Sequence, residues 1–107
     1  MTDEFAPRKD RAAAWFRDLR DQIVAAFEAL EAKAGGSHQF EVTPTTRETG
    51  GGGVMSVLRG GRVFEKVGVN VSTVYGTLGE RAQKAMAARG VPGMADDPRF
   101  WASGISL

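Results

Sequence analysis

The sequence predicts an α+β fold, on three observations. A long amphipathic stretch opens the chain, two alternating stretches meet at a glycine pair near its middle, and a second helical stretch leads into a closing apolar run. The 107 residues suit one small domain, read as residues 1–107 with 1–9 as a disordered lead-in.

Asp10 to about Lys33 reads as one helix, because Phe16, Leu19, Ile23, Phe27 and Leu30 recur at spacings of 3, 4, 4 and 3. Trp15 and Val24 widen this face, while Arg17, Asp18, Arg20, Asp21 and Glu28 occupy the rest. The polar face is not strongly basic, so the apolar stripe is assigned to packing on a sheet rather than to a membrane surface. Pro7 lies ahead of the helix and Ala34-Gly35-Gly36-Ser37 ends it.

Phe40–Thr46 alternates weakly around Pro44 and fits either a short edge strand or an extended lead-in. Val54–Leu58 is a strand of period two, with Val54, Ser56 and Leu58 on one face and Met55 and Val57 on the other. Gly60-Gly61 has the character of a two-residue hairpin loop, and Val63–Val74 continues as the returning strand, interrupted near Gly68 by a bulge or a close backbone approach. Thr77-Leu78-Gly79-Glu80 has capping-box spacing and predicts a helix over Leu78–Arg89. Gly90 stands where a left-handed residue ends a helix, and Pro92 prevents continuation. Pro92–Arg99 reads as a loop, and Phe100-Trp101 begins a strand that reaches Ile105 and Leu107. That strand has no terminating signal, turn or polar tail, which predicts a part of a larger domain.

Hydrophobic content of 42% and charged content of 25% are ordinary for a soluble globular chain, and a net charge of +1 gives no general pull towards nucleic acid or an anionic membrane. With no cysteine, disulfides, thiolate metal sites and cysteine nucleophiles are excluded. The N-terminus lacks the basic and apolar regions of a signal peptide, and no apolar run approaches about 18 residues. A cytoplasmic, soluble protein is expected.

Gly50-Gly51-Gly52-Gly53 invites a phosphate-loop reading, which fails because no Gly-Lys follows and a strand, not a helix, comes next. The run is either a flexible turn into a strand or backbone brought close to a large flat ligand. Arg47, Arg59, Arg62 and Lys66 flank the hairpin; guanidinium groups suit carboxylates, yet Arg59 and Arg62 read as solvated charges that protect an edge. Glu65 and Lys66 point to opposite faces and form no dyad. His38, the sole histidine, sits in a Gly-Ser-rich linker, so a typical metal site and a Ser-His-Asp arrangement both fail. Asp96 and Asp97 read as capping or solvated groups. An RNA-binding hairpin would need stacking aromatics among basic residues, and Phe64 is the only aromatic there.

Several ordered blocks nevertheless carry a resemblance. Arg47-Glu48 with the four glycines, Phe64-Glu65-Lys66-Val67-Gly68-Val69-Asn70-Val71-Ser72, and Phe100-Trp101-Ala102-Ser103-Gly104-Ile105-Ser106-Leu107 are together similar to the N-terminal hallmarks of oxygen-dependent coproporphyrinogen-III oxidases. Pro92-Gly93-Met94 and Asp96-Asp97-Pro98-Arg99 resemble the bacterial branch. The resemblance implies the N-terminal part of a large, mainly antiparallel sheet flanked by helices, in a homodimeric enzyme of haem biosynthesis. It implies oxidative decarboxylation of two propionates of coproporphyrinogen III, giving protoporphyrinogen IX, with molecular oxygen as co-substrate, no organic cofactor, no nucleic-acid partner and no membrane span. Ser106 matches the serine assigned to substrate binding in the family's Gly-Ile/Val-Ser-Leu motif. Arg47 and Gly50, Gly51, Gly52 and Gly53 are further substrate-binding candidates. The histidines assigned as proton donor and as ligands of a divalent metal follow this motif, so no catalytic residue and no metal ligand is expected in residues 1–107, and the chain alone is expected to be inactive. Thr45 and Tyr75 stand where many members have tryptophan and histidine. The competing class is a non-enzymatic α+β interaction module that kept the scaffold without the chemistry.

Overall fold

The computed structural model describes residues 3–107. Along the chain come α1 (Ala6–Lys33), β1 (Glu41–Thr46), β2 (Gly51–Arg59), β3 (Lys66–Thr77), α2 (Glu80–Ala88) and β4 (Arg99–Ser106). The strands form one antiparallel sheet in the order β1-β2-β3-β4. The expected α+β architecture is present, and within Phe40–Thr46 the residues Glu41–Thr46 form a short edge strand, all of them exposed.

Several boundaries differ from the sequence reading. Helix α1 begins at Ala6 with Pro7 in its first turn, so residues 6–9 of the expected lead-in are helical; Met1 and Thr2 lie outside the described residues. The β2–β3 reversal is not at Gly60-Gly61. Arg59 still pairs with Lys66, the Gly60 N–H donates to the Glu65 carbonyl at 2.8 Å, and the Gly61 N–H donates to the Phe64 carbonyl at 2.9 Å. The turn therefore falls at Arg62-Val63. Strand β3 runs without a bulge, Gly68 pairing with Val57 in unbroken register. Thr77 does not cap α2, because the ladder claims it as the partner of Arg99, and Gly79 takes the N-cap position without a side-chain bond. Gly90 adopts φ +87 as expected after a helix.

Antiparallel register assigns each side chain to a face. Val42, Val54, Ser56, Leu58, Val69 and Val71 share the side on which α1 lies, where Arg20, Asp21 and Val24 line a small cleft with Val42, Val54 and Ser56. The buried apolar core is thin: Leu58, Val69 and Val71. Helix α1 does not present its whole predicted stripe to the sheet. Trp15 and Leu30 stay about half exposed at 54% and 47%, while Glu31 is fully buried.

Glu31 is buried because it caps the hairpin. One carboxylate oxygen accepts the Arg62 N–H at 2.8 Å, and the other accepts the Val63 and Phe64 N–H groups, each at 2.8 Å. Three consecutive backbone donors around one anion make a nest. Phe27, one turn earlier, meets Phe64 edge-on at 5.0 Å and stacks on Phe40 at 6.3 Å. A Cβ at Gly61 would collide with the Glu31 carboxylate, and one at Gly36 would lie 2.7 Å from its Oε2, so these glycines make room for the anion.

The Phe64 N–H, with those of Arg62 and Val63, holds the Glu31 carboxyl below its ordinary 4.5, against the opposing effect of burial. A carboxyl lowered in the folded state stabilises above its unfolded pKa and loses that contribution as pH falls through the folded value. Thermal unfolding followed from pH 7 downwards should therefore show the Tm dropping below about pH 4.5, and Glu31→Gln should lower the Tm at pH 7 while flattening that acid limb. Leu58→Ala, which empties the core position at 0% exposure, should cost about 2–5 kcal/mol in denaturant unfolding.

Candidate functional site

The side of the sheet away from α1 is open. Across β2, β3 and β4 the register aligns Met55, Asn70 and Ser106 in one row and Gly53, Ser72 and Gly104 in the next. Gly51, Val74 and Ala102 form a third row, and Val57 and Gly68 flank the first on its other side. Alternation between buried Val69 and Val71 places Asn70 on this face, and Met55, Ser72, Ala102 and Ser106 are exposed. The surface is shallow, rich in glycine, and carries its polar groups at Asn70, Ser72 and Ser106.

Ser106 thus stands on the open face at the end of β4, beside Asn70. Of the other candidates, Gly53 stands in the next row of this face, while Arg47 and Gly51 lie farther off. Arg47 lies in the β1–β2 turn, where its guanidinium donates to the Gly50 carbonyl at 3.2 Å and its N–H donates to the Gly51 carbonyl at 2.9 Å. Gly51 pairs with Val74, four residues along β3 from Asn70, or about 13 Å at strand rise. Arg47 ties its own turn together.

The glycine run has a structural cause. Gly50 and Gly51 have φ of +133 and +85, values that side-chain-bearing residues rarely adopt. A Cβ at Gly50 would sit 2.6 Å from the Tyr75 carbonyl, and the cross-strand backbone would likewise obstruct Cβ atoms at Gly51, Gly52 and Gly53. Four glycines let β2 pass close between its neighbours, which leaves that part of the open face flat. Thr45 is exposed opposite Gly53, and Tyr75, paired with Trp101, projects on the helix side rather than the Ser106 side.

A depression of about 1080 Å³ lies elsewhere, between the start of α1 and the β3–β4 end of the sheet. Four of its charges pair with one another. Lys9 pairs with Asp3 at 2.7 Å and lies 5.9 Å from the Trp101 ring centre, while Arg99 grips Asp97 with two bonds of 2.8 Å. The Arg99 side chain holds the Asp97 carboxyl down to about 2. Asp97 therefore ties its own loop to Arg99. His38 is exposed in the linker between α1 and β1. Among the described residues no three His, Cys, Asp or Glu side chains gather to hold a metal, and no helix is long and apolar enough to cross a membrane.

Sequence reasoning missed two residues. Glu31 was not singled out on α1, and only its tertiary contact reveals its use. Asn70 lay inside a quoted block without a role, although its position between two valines of a strand could have placed it beside Ser106.

Fold and site define an α+β chain with one helix-covered sheet face and one flat, polar-centred face carrying a Gly-Ile-Ser-Leu strand. Residues 11–107 match the model of the coproporphyrinogen III oxidase family, and the chain belongs to that family. It is 46% identical over 104 residues to an oxygen-dependent coproporphyrinogen-III oxidase of Rickettsia bellii, with 92% of this chain and 35% of that protein covered. Proteins of the same description from Rickettsia felis and Rickettsia rickettsii are 40% and 38% identical over the same coverage. The chain thus spans about a third of the length of these relatives.

The two kinds of glycine on this face predict opposite responses. Gly51→Ala forces a positive φ and a backbone collision, and should cost about 1–3 kcal/mol. An added Cβ at Gly104 meets nothing within 4 Å, so Gly104→Ala should unfold at or above the wild-type Tm.

Proposed function

We propose that this chain serves the oxidative decarboxylation of coproporphyrinogen III to protoporphyrinogen IX, contributing the sheet floor on which the tetrapyrrole rests. The observation that carries the reading is the position of Ser106: the serine of the matched motif lies on the open face, in a row with Asn70 and beside the glycine-flattened region. A hydroxyl there can donate to a propionate or accept from a pyrrole N–H.

For each of two propionates, the bond to the carboxylate carbon breaks and carbon dioxide leaves. The CH2 attached to the pyrrole gives up one hydrogen together with two electrons, the side chain becomes vinyl, and those electrons, that proton and one further proton from solvent reduce molecular oxygen to hydrogen peroxide. Oxygen is the oxidant and no organic cofactor enters. The electron-rich pyrrole assists loss of the carboxylate, so the chain's part is to hold the macrocycle with the reacting side chain in place. Among the described residues no three His, Cys, Asp or Glu side chains gather to hold a divalent metal, and no step here runs through a metal. Proton donation falls to residues outside this chain. A cytoplasmic homodimer is the proposed setting.

The test is a chimera in which residues 11–107 replace the matching segment of the Rickettsia bellii enzyme. It should convert coproporphyrinogen III, and Ser106→Ala should lower kcat/KM by roughly tenfold or more, the effect of one hydrogen bond. The 107-residue chain alone should show no turnover above air oxidation. A folded chimera without turnover would contradict the reading, as would sustained conversion by the isolated chain.

A further inference from the structure

Asn70 has an unfilled hydrogen-bonding site. Its Oδ1 is buried and has no hydrogen-bond partner among the described residues. Buried polar atoms are nearly always paired, and an unpaired one destabilises the fold unless something else uses it. The flanking residues do not explain it. Val69 and Val71 point into the core, and on the open face its row neighbours are Met55, which offers no N–H or O–H donor, and Ser106. Gly68, two residues earlier on the same face, leaves space at its side: a Cβ there would come no closer than 3.8 Å to the Asn70 amide nitrogen.

We infer that Asn70 is a substrate-positioning residue whose Oδ1 accepts a hydrogen bond from a pyrrole N–H of the bound porphyrinogen. This rests on the proposed function above and names a contact within that site. The free atom is an acceptor, so it calls for a donor. The propionates of a coproporphyrinogen are ionised acceptors at neutral pH, and its only donors are the four pyrrole N–H groups. The terminal amide torsion is soft, so a small turn of the carboxamide presents the oxygen to a ligand lying on the face. The macrocycle would then be oriented at two points: Asn70 takes a pyrrole N–H, and Ser106 in the neighbouring strand holds a second group.

A residue kept for a ligand at the expense of the fold gives a signature that a structural residue does not. Binding of coproporphyrinogen III, held anaerobically so that it is not oxidised, is measured by calorimetry for wild type, Asn70→Ala, Asn70→Val and Ser106→Ala, with the Tm of each. Coproporphyrin III is the comparison ligand, since it has the same propionates but its N–H groups are locked in the plane of the aromatic ring. The inference expects both Asn70 variants to melt at or above wild type, to bind coproporphyrinogen roughly tenfold more weakly, and to bind coproporphyrin almost unchanged. Coproporphyrinogen binding that Ser106→Ala weakens and both Asn70 variants leave intact overturns the inference and spares the site. Lowered Tm with equal weakening of both ligands overturns it in favour of a structural role. Absence of saturable binding by the wild-type chain removes both the site and the inference.

Discussion

The fold hangs on one carboxylate. Glu31 sits in the last turn of a 28-residue helix and binds three consecutive N–H groups at the tip of the β2–β3 hairpin. It fixes where the hairpin turns, and with the Phe27–Phe64 contact it sets the height at which α1 crosses the sheet. Since the apolar core consists of Leu58, Val69 and Val71, packing alone offers little to hold helix against sheet. A charge-assisted, triply bonded anchor at the end of the helix supplies the missing specificity. Two glycines, 36 and 61, are as much part of it as the carboxylate, because a side chain at either would fill its place.

Once the helix is clamped to one face, the other is left open. The accessible surface of 7773 Å² is well above the roughly 5800 Å² of a compact chain of this mass, and the extents of 57 × 28 × 26 Å describe an elongated body. The open face shows two uses of glycine. In the 50–53 run glycine lets neighbouring backbones approach, whereas at 104 nothing within the described chain demands it. Asn70 sits one row from Gly53 and Gly104, with an acceptor that the described chain does not satisfy. A surface that is flat, exposed and short of one donor is incomplete by its own chemistry, and a macrocycle with N–H groups would complete it.

Much of this was legible in the residues. The alternation of Val54, Ser56 and Leu58 against Met55 and Val57 sorted β2 into its two faces, and the strand expected over Val63–Val74 overlaps β3, which starts at Lys66, because a period of two survives in any antiparallel sheet. The ordered motifs placed the chain in its family and pointed to Ser106. What failed was what depends on distant partners. Gly60-Gly61 carries the local mark of a tight turn, but Glu31, some thirty residues away, decides the geometry. Thr77 and Glu80 have the spacing of a capping box, yet pairing with Arg99 holds Thr77 in the sheet. Leu30 belongs to the helical stripe by period but stays about half exposed, while Glu31, whose charge reads as solvent-facing in any sequence, is buried.

The claim at the centre is that a tetrapyrrole lies on the face opposite α1. Methyl NMR of the chain titrated with coproporphyrin III tests it most directly, because the aromatic macrocycle shifts the resonances of any methyl beneath it. The structure predicts shifts at Met55, Val57 and Val74 on the open face, with Leu58, Val69 and Val71 on the helix side unmoved. Shifts concentrated on the helix side, or at Ala12 in the depression beside Trp101, would contradict it.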